Sequence, residues 1–167
     1  YIIVGAGSAG AAVANRLSAD GRHKVLVLEA GRKSHPWSRI PISFAKLIAN
    51  PAANWLYSSE PEEGSAQRRI PVPRGKLLGG SSSINGMVFV RGQAQDFDHW
   101  AQLGNRGWSY QDVLPVFKDM ESYQGDSDDE YRGRDGPLKV SENNETGAIY
   151  EALIKAAGEV GIEYTND

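Results

Sequence analysis

Residues 1–31 read YIIVGAGSAGAAVANRLSADGRHKVLVLEAG, and this stretch decides the fold. Residues 1–4 form an apolar run, residues 8–20 are rich in alanine, and residues 24–29 form a second run rich in valine and leucine. The pattern predicts a strand, a helix that stops near Gly21, and a second strand. Such a βαβ unit has parallel strands joined by a right-handed crossover.

Three glycines lie at the predicted junction between the first strand and the helix. Gly5, Gly7 and Gly10 have the spacing G-x-G-x-x-G of a dinucleotide-binding turn. The first glycine permits the tight turn, the second lets a pyrophosphate approach the backbone, and the third lets helix and strand pack closely. The phosphates then meet free N–H groups at the positive end of the helix dipole.

Glu29 is the predicted ribose-binding residue. It lies 19 residues after Gly10, and in dinucleotide folds an acid about 20 residues after the turn binds the ribose hydroxyls. A carboxylate repels a 2′-phosphate, which favours an unphosphorylated adenosine. Arg32 and Lys33 could instead form a 2′-phosphate site, but beside Glu29 they are interpreted as solvated surface. The turn and the acid together do not separate NAD from FAD.

Residues 75–92, GKLLGGSSSINGMVFVRG, join small and polar residues to an apolar run. Gly79 and Gly80 would let the backbone approach a flat ring, while the serine hydroxyls and Asn85 can hydrogen-bond to phosphate, ribitol or ring heteroatoms. Residues 87–90 would supply an apolar wall. The same residues also suit a Gly-Gly turn followed by a helix cap and a core strand, and by themselves they leave both interpretations open.

Five segments resemble the N-terminal part of the glucose-methanol-choline family of FAD-dependent oxidoreductases: IIVGAGSAGAAVANRLS, VLVLEAG, GKLLGGSSSINGMVFVRG, DFDHWAQLG and GWSYQDVLPVF. The third segment matches the family's first diagnostic pattern throughout, with Phe89, Gly92 and Asp98 at the expected spacing. The resemblance covers nearly the whole chain. The exceptions are residues 34–69 and 125–135, which are regions of ordinary sequence variation.

The resemblance implies an α/β fold in which the βαβ unit belongs to a larger doubly wound parallel sheet of Rossmann type, with helical and irregular segments particular to the family. Residues 1–167 are then expected to be the N-terminal portion of an FAD-binding domain. The remaining strands, a substrate domain and the catalytic histidine are expected in C-terminal sequence outside this chain, so we expect a fragment.

The activity implied by the resemblance is FAD-dependent oxidation of a primary or secondary alcohol to an aldehyde or ketone, with hydride passing to flavin N5. The partners are then a small-molecule alcohol and oxygen or another electron acceptor. Two alternatives stay open. The first is an NAD-dependent dehydrogenase, which would leave residues 75–92 without a role. The second is a lyase that contains FAD without redox turnover, since the resembled family includes hydroxynitrile lyases.

The predicted cofactor contacts fall into three groups. The group at the pyrophosphate comprises Gly5, Gly7, Ser8 and Gly10, with Ala9 beside them. The group at the adenosine ribose comprises Glu29, with Ala30 and Gly31 beside it. The group along the flavin comprises Leu78, Gly79, Gly80, Ser82, Asn85, Gly86, Met87 and Val88.

Ile84 determines how the flavin is expected to be attached, and the three histidines determine whether a catalytic residue can be assigned. Some members of the resembled family carry a histidine immediately before the asparagine and attach the flavin to it; here Ile84 precedes Asn85, which predicts noncovalent FAD. His23, His35 and His99 have no acid or serine partner in a recognisable catalytic arrangement, so no catalytic residue is assigned.

Composition excludes several other function classes. The chain has 18 Lys and Arg against 21 Asp and Glu, a net charge of −3, so no basic field for nucleic acid is expected. Without cysteine there is no disulfide and no thiolate metal site. The acidic loop at 125–136 has Tyr131 where a calcium-binding loop needs glycine, so a solvated loop and no metal are predicted. A soluble protein is expected, with the cytoplasm favoured.

Elsewhere the pattern predicts irregular structure over residues 32–74, a helix over 96–103 and a strand over 137–140. A helix over 109–123 is predicted to begin with a capping box formed by Ser109 and Asp112 and to bend at Pro115. A last helix is predicted over 146–160. Asn144-Glu145-Thr146 matches a glycosylation acceptor, but its interpretation as the start of that helix is preferred.

Overall fold

The computed structural model describes residues 1–126, 129–142 and 147–164. The chain divides into two compact units, residues 1–88 and residues 89–167. We call them the N-terminal unit and the C-terminal unit, and each is described by itself.

The N-terminal unit contains the predicted βαβ element. Strand β1 (Ile2–Val4) and strand β2 (Leu26–Leu28) are parallel, with Ile2 opposite Leu26, and helix α1 (Ser8–Ser18) joins them. The α/β fold with parallel strands is therefore confirmed. Helix α1 ends at Ser18, two residues before the predicted end at Asp20.

Residues 32–74 are largely irregular, as predicted, but they include a hairpin that the sequence did not indicate. Short 3-10 helices at Pro36–Arg39 and Pro41–Ser43 lead into helix α2 (Phe44–Ile48). Strand β3 (Tyr57–Ser58) then pairs antiparallel with strand β4 (Pro71–Val72), and a 3-10 turn at Glu63–Ser65 lies between them.

Residues 75–80 bind the parts of the N-terminal unit together through backbone hydrogen bonds. The N–H of Gly79 donates to the carbonyl of Ala6 (2.8 Å), and the N–H of Leu78 donates to the carbonyl of Arg32 (2.9 Å). The N–H of Lys76 donates to the carbonyl of Ala53, which follows helix α2 (2.7 Å). The segment therefore contacts both loops that follow the parallel strands.

The buried core of the N-terminal unit lies beneath this segment. It consists of Leu47, Ala53, Leu77 and Ile84, of which Leu77 is 0% exposed and Ile84 3% exposed. By contrast, the strands are open to solvent: Ile2 is 69% exposed and Val4 85% exposed. Apolar residues of a parallel sheet are normally covered on both faces.

The C-terminal unit contains three helices and two short strands within its described residues. They are α3 (Ala94–Gln102), α4 (Tyr110–Met120), β5 (Glu121–Tyr123), β6 (Leu138–Val140) and α5 (Ala148–Glu159). Strands β5 and β6 are parallel. Phe97 on α3 packs against Phe117 of α4, with ring centroids 5.5 Å apart, and against Trp100 at 5.4 Å.

Helix α4 begins as predicted and ends earlier than predicted. The Ser109 hydroxyl accepts a hydrogen bond from the N–H of Asp112 and the Asp112 carboxylate accepts one from the N–H of Ser109, which confirms the capping box. The helix stops at Met120, so its predicted continuation to Tyr123 was wrong. The reason is Glu121, which leaves the helix to lie fully buried in a cluster of arginines.

The other predicted elements of the C-terminal unit are close to those observed. The strand predicted over 137–140 spans Leu138–Val140, and the helix predicted over 96–103 spans Ala94–Gln102. Helix α5 begins at Ala148 after Gly147. The interpretation of Asn144-Glu145-Thr146 as its start falls outside the described residues. None of the described helices is long and apolar enough to span a membrane.

Candidate nucleotide-binding site

A cavity of about 880 Å³ opens on the N-terminal unit at the carboxyl ends of β1 and β2. This is the edge at which parallel α/β sheets bind ligands. One wall comes from the turn between β1 and α1 together with the end of β2. The lining residues of this wall are Val4, Gly5, Gly7, Ser8, Ala9, Gly10, Leu28, Glu29 and Ala30.

The glycines of the turn meet the steric demands expected of them. Gly5 has φ +96°, a conformation that favours glycine, and its N–H donates to the carbonyl of Leu28 (2.7 Å). A Cβ on Gly10 would lie 2.0 Å from the carbonyl oxygen of Gly5. Helix α1 can therefore approach β1 this closely only with glycine at position 10.

The first turn of α1 presents backbone donors to the cavity that have no partner among the described residues. The first helical hydrogen bond runs from the N–H of Ala11 to the carbonyl of Gly7 (2.9 Å), and no side chain caps the helix at Gly7. The N–H groups of residues 8–10 precede that bond and have no partner within the helix. With no Cβ on Gly7 in the way, this cradle fits a pyrophosphate.

Glu29 is held by the backbone of both loops that border the cavity. Its Oε2 accepts a hydrogen bond from the N–H of Ala6 (2.8 Å), and its Oε1 accepts one from the N–H of Gly31 (2.8 Å). Each carboxylate oxygen can accept a further hydrogen bond, so the side chain can also accept from ribose hydroxyls. A Cβ on Gly31 would lie 2.1 Å from the backbone of Lys76, which explains glycine there.

The residues predicted along the flavin do not all lie at this cavity. Gly80 lines it, and a Cβ on Gly80 would lie 2.7 Å from the Cα of Gly7. Ser82, Asn85 and Met87 line a second, smaller cleft of about 40 Å³ instead.

That second cleft is bordered by the first irregular segment and by helix α2. Its other lining residues are Trp37, Ser38, Ile40, Pro41, Phe44, Leu47 and Ser83.

The remaining residues of the predicted flavin group lie outside both cavities. Leu78 is 52% exposed and Val88 81% exposed. Gly79 has φ +90° and lies against the side chain of Ser83, while Gly86 lies beside the ring of Phe44. The structure therefore brings Gly80 to the same cavity as the residues predicted at the pyrophosphate and as Glu29 and Ala30. The backbones of Leu78 and Gly79 contact the loops that follow β2 and β1, while Ser82, Asn85 and Met87 line the second cleft.

Met87 and Ile84 show how residues 84–88 are arranged. Met87 has φ +61°, an uncommon value for a residue with a side chain, and its N–H donates to the Asn85 Oδ1 atom (3.1 Å). The Ile84 side chain packs in the core rather than toward either cavity. The alternative in which residues 87–90 form a core strand does not hold, because none of them is in a strand and Val88 and Val90 are exposed.

The 880 Å³ cavity has a second wall that the sequence pattern does not predict. It consists of Trp55, Tyr57, Val72, Arg74, Gly75 and Ser81, mostly from the β3–β4 hairpin and its flanks. Trp55 and Tyr57 are stacked with their rings 3° from parallel and their centroids 5.9 Å apart. The stretch has no alternating apolar pattern to indicate a hairpin, so only the pairing of distant segments reveals this wall.

Comparison with known sequences gives a match along the whole chain. Residues 1–167 match the family described as GMC oxidoreductase. An oxygen-dependent choline dehydrogenase of Sinorhizobium fredii (strain NBRC 101917 / NGR234) is 50% identical over 168 aligned positions, which cover 100% of this chain and 30% of that protein. The chain thus spans about 30% of the length of the curated relatives it matches.

Solved structures of similar fold cover almost the same range. Pyridoxine 4-oxidase from Mesorbium loti superposes with a TM-score of 0.86 at 35% identity, over 96% of this chain and 32% of that one. An FAD-dependent oxidoreductase from Chaetomium thermophilum superposes with a TM-score of 0.79 at 33% identity, over 96% of this chain and 29% of that one.

Proposed function

The chain belongs to the GMC oxidoreductase family, and from this premise we propose that it forms the FAD-binding part of an enzyme that oxidises a primary or secondary alcohol to an aldehyde or ketone. The observation that carries the proposal is the cavity at the end of the parallel strands. Free N–H groups of α1 and the carboxylate of Glu29 lie there on one wall, as an adenosine diphosphate moiety requires.

In this proposal each part of the cavity has a task. The N–H groups of residues 8–10 donate to the pyrophosphate, and the dipole of α1 favours its negative charge. Glu29 keeps its bonds to Ala6 and Gly31 and accepts from the ribose hydroxyls with its remaining lone pairs. When bound, FAD supplies the hydride acceptor, while the chain supplies binding and orientation.

We propose that the FAD is noncovalent. Position 84 is isoleucine, whose side chain has no nucleophilic atom, and it is 3% exposed within the core. Acid precipitation of the full-length protein tests this. We expect yellow flavin in the supernatant, and flavin retained in the pellet after washing would contradict a noncovalent cofactor.

For the substrate we propose a small alcohol, with choline as the first compound to test because relatives at about 50% identity are choline dehydrogenases. Oxygen or another electron acceptor completes the turnover. The test is to purify the full-length protein, record its absorption spectrum, and add the alcohol without oxygen.

Each alternative predicts a different result in that test. We expect the flavin absorption bands before addition and their bleaching afterwards. A protein without flavin bands that reduces NAD would support the NAD-dependent dehydrogenase. Flavin bands that no alcohol in a broad panel bleaches, with cleavage of a hydroxynitrile, would support the lyase.

A further inference from the structure

The 880 Å³ cavity poses a problem of charge for a dinucleotide. A pyrophosphate linkage carries two negative charges, and the wall formed by the glycine turn offers it only neutral donors, the backbone N–H groups and the hydroxyl of Ser8. Glu29 on the same wall adds a further negative charge. Among the described residues that line the cavity, Arg74 is the only cation.

The backbone at Arg74 is held in place by a buried side chain. The N–H of Arg74 donates to the Oδ1 atom of Asn54 (2.9 Å), and the Nδ2 atom of Asn54 donates to the carbonyl of Ile48 (2.5 Å). Asn54 is only 2% exposed. The carbonyl of Arg74 also accepts from the N–H of Trp55 (2.9 Å). These bonds fix the point from which the guanidinium extends.

Contacts between glycines connect the backbone next to Arg74 to the first turn of α1, whose N–H groups face the cavity. A Cβ on Gly75 would lie 2.0 Å from the carbonyl oxygen of Gly80. A Cβ on Gly80 would in turn lie 2.7 Å from the Cα of Gly7, at the start of α1. The backbone next to Arg74 is therefore packed, through Gly80, against the turn whose N–H groups face the cavity.

The guanidinium itself has bonding capacity left. Its Nη1 atom donates to the carbonyl of Pro73 (2.7 Å), and within the described part of the chain no carboxylate lies within 4.0 Å of it. Two other arginines of the N-terminal unit differ in this respect: Arg22 pairs with Asp20, and Arg69 pairs with Glu60. Arginine binds phosphate through paired donors of one planar group.

We propose that Arg74 binds the pyrophosphate of the dinucleotide from the second wall of the cavity and neutralises part of its charge. The inference rests on the proposed function, since it takes the cavity to hold the ADP portion of FAD. It divides the phosphate site between neutral donors on α1 and one cation on the hairpin side.

The test compares Arg74→Gln and Arg74→Lys in the full-length protein with Arg39→Gln as a matched control. Arg39 is an exposed arginine of the same unit that does not line the cavity. Flavin is removed, and the apoprotein is titrated calorimetrically with ADP, adenosine and FAD. ADP carries the pyrophosphate and adenosine does not, so their ratio of affinities measures the phosphate site alone.

We expect Arg74→Gln to weaken ADP and FAD binding about 10- to 100-fold, as loss of a hydrogen-bonded charge does, and to leave adenosine binding unchanged. Arg74→Lys should recover part of the loss, and Arg39→Gln should match the wild type. The salt dependence of ADP binding should also become shallower in Arg74→Gln.

Equal losses for ADP and adenosine would overturn the inference, because they would indicate that Arg74 only supports the fold. An unchanged ADP affinity in Arg74→Gln would overturn it as well. The same titrations separate failure of this inference from failure of the proposed function. A wild-type protein that binds ADP but not FAD would refute the flavoenzyme proposal and leave the assignment of Arg74 standing.

Discussion

Glu29 in the N-terminal unit and Glu121 in the C-terminal unit are two partly or fully buried carboxylates that are stabilised in different ways. Glu29 is bound by two backbone N–H groups and borders a cavity. Glu121 is 0% exposed and is bound by the side chains of Arg91 and Arg132 and by the N–H of Gly133 (3.1 Å).

The difference extends to the units that contain them. The N-terminal unit is built around glycines and backbone hydrogen bonds, which leave space and polar groups available to a ligand. The C-terminal unit is built around an aromatic cluster at Phe97 and the ion pairs of Glu121, whose carboxylate accepts its hydrogen bonds from groups of the same unit. Substitutions in the first unit should therefore affect FAD binding together with stability, and substitutions in the second should affect stability alone.

The largest effect is expected from Gly10→Ala. The added methyl group would lie 2.0 Å from the carbonyl oxygen of Gly5, a backbone atom that cannot move without disrupting β1. We expect the free energy of unfolding to fall by more than about 4 kcal/mol, with loss of bound flavin. Urea unfolding and the flavin content of the purified protein measure both. A variant that retains full flavin content would show that the close packing of α1 on β1 is not required.

Glu121→Gln should give the next largest effect. It removes from a buried site the carboxylate that pairs with Arg91 and Arg132, which costs about 3–5 kcal/mol. Urea unfolding measures the loss, and Glu151→Gln, on an exposed position of α5, is the control. FAD affinity below the unfolding transition should stay at the wild-type value; a weakened affinity would break the distinction between the two units.

Glu29→Gln should produce a smaller loss of stability with a clear loss of affinity. The amide nitrogen of glutamine would face the N–H of Ala6 or of Gly31, so one of the two bonds is lost at about 1–3 kcal/mol. Urea unfolding and FAD titration report the two effects, with the exposed Glu62→Gln as control. Wild-type FAD affinity in the variant would remove Glu29 from the binding site.

Gly158→Ala should have the smallest effect, and of opposite sign. Gly158 lies inside α5, and a Cβ there would meet no atom within 4 Å. We expect the variant to be more stable by up to about 1 kcal/mol, because alanine is the better helix former, with unchanged FAD affinity. Thermal unfolding measures the gain. A destabilised variant would mean that the backbone freedom of Gly158 matters in the native protein.

Local patterns predicted those parts of the molecule that depend on neighbouring residues. The βαβ element, the capping box of Ser109 and Asp112 and the strand at Leu138–Val140 all follow from short periodic or capping signals. The predicted helix over 109–123 was wrong from Glu121 onward, because a charged residue in the last turn of a predicted helix is expected to be exposed, and Glu121 is buried. Its arginine partners are 30 and 11 residues away.

The candidate site likewise has one part that local sequence patterns predict and another that depends on contacts between distant segments. Its glycine turn and its acid are visible in the sequence because they belong to one contiguous stretch whose spacing is set by the geometry of a strand, a turn and a helix. Trp55 and Arg74 are not visible, since they reach the cavity only through a hairpin that pairs segments about 15 residues apart and through glycine contacts that join Gly75 to Gly80 and Gly7.

By itself, then, the sequence determined the parallel βαβ element, the position of the glycine turn and the family of the protein, because each depends on residue types at fixed local spacing. Only the tertiary structure decided that Glu29 is held by two backbone N–H groups, that Ile84 packs in the core, and that Arg74 completes the second wall. These features depend on which distant segments come into contact, and that is set by packing and hydrogen bonding across the whole unit.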